Sequence, residues 1–104
     1  IYEPLGIALV ISAWNYPIYT AVPQVAAAIS AGNCVILKPS ELAPYTSKVL
    51  KKFSKIIWIQ VFDVDSGFYR VIEGKVEVGK ALTQLKMDII CFTGSTQTGR
   101  LIAI

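Results

Sequence analysis

Four apolar runs alternate with amphipathic stretches along this chain. The first, Leu5-Gly6-Ile7-Ala8-Leu9-Val10-Ile11, ends at Ser12. A run without polar alternation predicts a strand covered on both faces, as in parallel sheets. Ala13-Trp14-Asn15-Tyr16-Pro17 reads as a turn. The alanine-rich residues 19–31 predict a helix stopped by Gly32-Asn33, with Pro23 in its first turns, where proline costs least. Cys34-Val35-Ile36-Leu37 is a second buried strand, closed by Lys38-Pro39, and residues 40–43 form a loop. Pro44 opens a helix whose inner face carries Val49, Leu50, Phe53, Ile56 and Ile57. Lys48, Lys51, Lys52 and Lys55 lie beside that face, as a solvated surface or as a site for an acidic partner. Residues 56–64 fit a helix extension and an inserted strand equally. Trp58, Ile59, Val61 and Phe62 keep that stretch apolar until Asp63, Asp65 and Gly67 break it. Phe68-Tyr69-Arg70-Val71-Ile72 predicts a third strand. Residues 76–86 predict a short helix, with Val78, Leu82 and Leu85 inward and Gly79 weakening it. Asp88-Ile89-Ile90-Cys91-Phe92 is a fourth strand, and Thr93-Gly94-Ser95-Thr96 turns into a last helix running to Ile104.

The order β-α-β-α-β-α-β-α predicts an α/β fold with a Rossmann-like parallel sheet. At 104 residues the chain is one domain. Its 54% apolar and 16% charged residues stand against about 45–50% and about 25% in ordinary globular chains. Disorder is excluded. So much apolar material in a small domain points to a piece of something larger, or to a subunit with a covering partner. The first residue, Ile1 rather than Met, points the same way, to a processed, truncated or partial product.

The absence of histidine removes Ser–His–Asp and Cys–His chemistry and histidine metal ligands. Cys34 and Cys91 are far apart and form no CxxC pair, so no zinc or redox motif is expected. A net charge of +3 is too mild for a nucleic-acid partner. No uninterrupted apolar run reaches about 18 residues, so no membrane span is expected in this segment, and no signal-peptide pattern opens it.

Ligands of parallel α/β sheets sit off the carboxyl ends of the strands. Those ends here are Ser12-Ala13-Trp14-Asn15, Lys38-Pro39-Ser40-Glu41, Glu73-Gly74 and Thr93-Gly94-Ser95-Thr96, all polar or glycine-bearing. Gly94 to Gly99 opens a helix directly after a strand, where unpaired N–H groups suit a phosphate, although a plain helix cap explains the turn as well. Lys38 and Glu41 offer both signs of hydrogen bond to a ribose, or are an exposed pair of little worth. Asn15 has an amide able to donate to an oxyanion, or makes an Asx-turn. Cys34 and Cys91 fall in apolar runs, where cysteine is usually an inert small hydrophobe.

Tyr2-Glu3-Pro4-Leu5-Gly6, Ala13-Trp14-Asn15-Tyr16-Pro17, Ala31-Gly32-Asn33, Leu37-Lys38-Pro39-Ser40-Glu41-Leu42 and Phe92-Thr93-Gly94-Ser95-Thr96 follow one another as in the aldehyde dehydrogenase family. The WNYP and KPSEL forms and the segment Val71-Ile72-Glu73-Gly74 most resemble its class 3, or fatty-aldehyde, branch. The resemblance implies oxidation of aldehydes to acids with NAD or NADP. A cysteine thiolate attacks the carbonyl, an oxyanion site holds the adduct, hydride passes to the nicotinamide, and a glutamate-activated water releases the acid. It implies that Asn15 stabilises the oxyanion. Trp14 and the backbone of Ser12 and Ala13 would wall the cofactor, and Lys38 and Glu41 would hold the adenosine ribose. Gly94 and Ser95 would approach the pyrophosphate, Thr98 would line the cofactor, and Gly74 would lie near the adenine.

The departures are equally specific. Neither Cys34 nor Cys91 matches the family nucleophile, and that residue and the general-base glutamate belong to stretches with no counterpart here. Residues 56–67 fit the family poorly, and Lys75 replaces a glycine, which would narrow the adenine pocket. The expectation is a partial NAD(P)-binding domain over residues 1–104 without its catalytic domain. The alternative is a degenerate, inactive remnant serving as an accessory subunit. Either way, other polypeptides are expected against residues 56–62 or the 101–104 end.

Overall fold

A computed structural model describes residues 3–54, 56 and 69–103. Among them are strands β1 (Ile7–Ile11), β2 (Cys34–Lys38), β3 (Tyr69–Val71) and β4 (Ile89–Phe92). The helices are α1 (Val22–Ser30), α2 (Pro44–Val49), α3 (Val76–Gln84) and α4 (Thr96–Ala103), and a π-helical turn at Leu50–Ser54 prolongs α2. The alternation is the one the sequence predicts. All pairings are parallel and the strand order is β3-β2-β1-β4, the Rossmann-like arrangement in which the chain returns past its first strand.

Register sets which side chains share a face. Ala8 pairs with Val35 and Val35 with Tyr69; Val10 pairs with Leu37 and Leu37 with Val71. These residues form one apolar layer, closed by Ala21, Val25, Ala28 and Ile29 around α1 and by Leu50 beyond α2. On the opposite face Leu9 is fully buried, and α3 lies against β1 with Leu82 inward. Burial of a leucine-sized side chain is worth about 1.5–3 kcal/mol, so β1 anchors both layers. The layer side of β4 has no such cover: Ile89 and Cys91 are exposed.

Two side chains fix where β1 begins. Asn33 Oδ1 accepts the Gly6 N–H at 2.9 Å, while Asn33 Nδ2 donates to the Ala28 carbonyl at 3.1 Å. From the other side, Asp88 Oδ2 accepts the Ile7 N–H at 2.7 Å. Gly6 has φ +127°, and a Cβ there would overlap the Asp88 carboxylate, so glycine is required.

Several predicted bounds shift, each for a local reason. β1 starts at Ile7 because the positive φ of Gly6 interrupts the extended run. The first helix starts at Val22, since residues 16–21 form turns in which Thr20 Oγ1 donates to the Tyr16 carbonyl at 2.8 Å. Val49 is exposed, contrary to the predicted inner face. Leu50 is buried as expected, but its inward partner on α2 is Ser47, three residues before it, which turns Val49 off that face. Leu85 is also exposed, because α3 ends at Gln84 and Leu85 is extended, with ψ 158°. Ile56 is exposed too, while the side chains of Phe53 and Lys55 and all of residues 57–68 lie outside the described residues.

Asn33→Ala removes the acceptor of the Gly6 N–H and one donor to Ala28. It is expected to lower stability by about 1–3 kcal/mol, measured as a shift of the urea midpoint at constant slope. An unchanged midpoint would show that the clamp does not hold β1.

Candidate functional site

Because the strands are parallel, their βα turns leave the sheet at one edge. Ser12, Ala13, Trp14 and Asn15 follow β1, Lys38 ends β2 with Glu41 three residues on, Gly74 follows β3, Gly94 and Ser95 follow β4, and Thr98 lies in the first turn of α4. These ten residues lie at or just after strand ends on this carboxyl edge, whereas the two cysteines do not. Backbone bonds carry the sheet register into the turns: Ser12 N–H donates to the Lys38 carbonyl at 3.2 Å and Thr93 N–H to the Ile11 carbonyl at 3.0 Å.

Lys38 is 5% exposed, unusual for a lysine. Its stem runs beside Gly79 of α3, where a Cβ would stand 4.0 Å from Lys38 Cε. The ammonium donates to Glu41 Oε2 at 2.9 Å. Three N–H donors on one ammonium leave two beyond this bond, so the pair presents donors and a carboxylate together. The hydrogen bond from Lys38 holds the Glu41 carboxyl below its usual range. A backbone hydrogen bond adds to that, burial opposes it, and the charges of Lys38 and Lys75 contribute less.

The β1 turn is tied down by Thr20, a residue that sequence reasoning passed over. Its Oγ1 accepts the Ala13 N–H at 3.1 Å and donates to the Tyr16 carbonyl. A polar residue just before an apolar helix was the available signal, and only the fold shows that it is buried. Trp14 and Asn15 project from this loop into solvent. The Asn15 side chain makes no hydrogen bond among the described residues, so the Asx-turn reading does not hold there and the amide is uncommitted. Asn15 borders an open groove of about 470 Å³ lined by Tyr16, Pro17, Ile18, Tyr19, Val22 and Pro23. Ser12 Oγ is buried with no partner among the described residues, a polar atom for which a bound ligand group would supply one.

Ser95 caps α4. Its Oγ accepts the Thr98 N–H at 3.2 Å and donates to Thr98 Oγ1 at 2.9 Å, the N-cap geometry. Thr98 Oγ1 accepts in that pair, so its own proton is not used there. The two glycines serve packing: a Cβ on Gly94 would overlap the Phe92 ring, and one on Gly74 would overlap Val78. Both thiols lie within strands rather than in the turns. Cys34 opens β2 at the amino edge, paired with Ile7, and Cys91 lies within β4, paired with Val10. Cys91 is exposed rather than enclosed in an apolar run, because among the described residues no helix covers that face of β4.

Glu41→Gln tests the pair. A carboxyl whose pKa is lowered by folding stabilises the fold above its unfolded pKa, and that gain disappears as pH falls through the folded value. The native chain is therefore expected to exceed the variant in thermal midpoint at pH 7, with the difference closing below about pH 4. A pH-independent difference would show that the charge is not the cause.

The aldehyde dehydrogenase family model matches residues 1–104. The chain is 49% identical over 100 residues to aldehyde dehydrogenase family 3 member H1 of Arabidopsis thaliana, covering 96% of this chain and 19% of that protein. Among solved structures, it resembles a Mycobacterium tuberculosis aldehyde dehydrogenase complexed with NAD+, with TM-score 0.83 and 36% identity over 97% of this chain and 20% of that one. It also resembles the glyceraldehyde-3-phosphate dehydrogenase GapN of Methanocaldococcus jannaschii complexed with NADP, with TM-score 0.84 and 31% identity over 97% of this chain and 22% of that one. The chain thus spans about a fifth of the length of the proteins it matches. Agreement of family model, sequence and strand order over the same residues places this chain in the aldehyde dehydrogenase family.

Proposed function

We propose that these residues form the nicotinamide-cofactor side, and the oxyanion asparagine, of an enzyme that oxidises an aldehyde to a carboxylic acid. The observation that carries this reading is the buried Lys38 ammonium paired with Glu41 at the carboxyl edge of a parallel sheet. Two free donors and a carboxylate match the two hydroxyls of an adenosine ribose. The Ser12 Oγ, without a partner among the described residues, and the exposed Thr98 with its hydroxyl proton uncommitted to Ser95 fit a dinucleotide laid along the same edge. NAD and NADP share these features. When bound, the nicotinamide supplies the hydride acceptor.

The chain's own residues position and stabilise. Asn15 donates its uncommitted amide to the oxygen that gains charge when a nucleophile adds to the aldehyde. The groove of Tyr16, Ile18 and Tyr19 beside it suits an apolar aldehyde tail. In this reading the nucleophile and the general base come from residues outside these 104, since Cys34 and Cys91 lie within strands and not in the turns of the carboxyl edge.

The same reading includes a protein contact. No residue of α4 is buried, Leu101 is 69% exposed, and the β4 edge is open beside it. A polypeptide covering α4 and β4 would remove this apolar area from water at about 25 cal/mol per Å². Of the other expected contact, residues 56–62, only Ile56 is described, and it is exposed. The isolated chain is expected to bind a hydrophobic dye and to lose that signal on association; a monomer indifferent to dye would overturn the contact.

Calorimetry with NAD and NADP tests the cofactor site. The unaltered chain is expected to bind, and Lys38→Ala to weaken binding by about 1–3 kcal/mol, the cost of losing a charge-assisted hydrogen bond. No binding by the unaltered chain would overturn the reading.

A further inference from the structure

We infer that, apart from the cofactor edge, the outward face of α2 and of the π-helical turn after it is a contact surface for an anionic lipid membrane. Tyr45, Lys48 and Val49 stand at positions i, i+3 and i+4 of α2, the spacing that puts side chains on one helical face. Lys52 follows one turn on, in the π-helical turn, and all four residues are exposed. Tyr45 is 83% exposed, Val49 49%, and Leu42, two residues ahead of the helix, 69%.

This face is locked outward. On the opposite side Ser47 is buried, and its Oγ donates toward the carbonyls of Ala43 and Ser40, at 2.8 and 3.0 Å. Leu50 packs into the apolar layer of the sheet. Together they fix the rotation of the segment, so Val49 has no inward position to take. The charge on the face is also uncompensated. Lys51 has Glu73 at 4.0 Å, whereas Lys48 and Lys52 have no carboxylate within 4.0 Å among the described residues. Exposed cations without counter-charges attract an anionic partner.

The chemistry of the face selects among anionic partners. It holds no arginine, the residue whose planar fork suits discrete phosphates and carboxylates; lysine is a flexible point charge that suits a diffuse negative plane. A nucleic acid or an acidic peptide would use the two ammoniums and leave Leu42 and Val49 in water. A bilayer surface takes both. Tyrosine settles at headgroup level, and lysine stems lie along apolar surface while their ammoniums stay at the phosphates. No helix of the described residues is long and apolar enough to cross a membrane, so the contact is peripheral and weakened by salt.

Cosedimentation of the 104-residue chain with vesicles tests this, comparing phosphatidylcholine containing phosphatidylserine with phosphatidylcholine alone. Binding is expected to the anionic vesicles, to be at least about tenfold weaker to the neutral ones, and to be released near about 0.5 M salt, where screening acts within a few ångströms. Lys48→Gln combined with Lys52→Gln is expected to weaken it at least about tenfold, since one lysine near an anionic surface contributes about fivefold. Tyr45→Ser combined with Val49→Ser is expected to weaken it about threefold or more. Lys80→Gln, which removes an exposed charge from α3 instead, is expected to change it less than about twofold. No binding to the anionic vesicles, equal binding to both kinds, or an equal loss from Lys80→Gln overturns the surface. Polyglutamate bound as tightly as the vesicles, with Tyr45→Ser and Val49→Ser having no effect on either, overturns the lipid in favour of an acidic peptide. The vesicle and salt comparisons use the unaltered chain and hold whatever a variant does to the fold.

Discussion

The start of β1 is held from both sides, and the rest of the sheet is referred to it. Asn33, at the entry to β2, binds the Gly6 N–H, and Asp88, at the entry to β4, binds the Ile7 N–H. A slip of one residue in either pairing would move every side chain of that strand to the opposite face. The apolar layer built from Ala8, Val10, Val35 and Leu37 could not survive it. The same two bonds set the far edge. With the amino ends aligned, Ile11 and Lys38 end level, and the turn bearing Asn15 leaves the sheet beside the Lys38–Glu41 pair.

Most of the element order was legible because the physics is periodic and local. Unbroken runs such as residues 7–11 carry their strand assignment whatever surrounds them, and proline and glycine mark the turns between elements. The failures came where phase or context decides. Val49 and Leu85 are apolar and correctly spaced for an ideal helix, yet α2 turns Ser47 rather than Val49 to the core and the end of α3 releases Leu85. Cys91 looks buried in its own run but lies beyond the part of its face that α1 covers. Thr20 and Asn33 bind backbone groups 4 to 27 residues away, and no local pattern reveals that.

The site was legible to a different degree. Topology alone brought the four turns to one edge, and the family resemblance attached roles to them. The commitments of individual groups needed coordinates. Asn15 could have spent its amide on the local backbone, and it does not. Ser95 could have kept its hydroxyl free, and instead caps α4 with it. Gly94 and Gly74 invite a ligand-approach argument, yet the Phe92 ring and Val78 already require them. Lys38 could have been a solvated surface ion, and its burial turns an ordinary i,i+3 pair into the charged centre of the edge.

The bond between Asp88 and Ile7 joins residues 81 positions apart, which bears on the order of assembly. Closing so long a loop is entropically expensive and comes late in folding. β1 can pair with β2 once residue 38 has emerged during synthesis, but its other edge remains unsatisfied until residues 88–92 follow. For about 50 residues of growth at some 5–20 residues per second, the most apolar strand in the chain presents an open flank. The central position of β1, which makes the finished sheet cohesive, makes the unfinished one sticky.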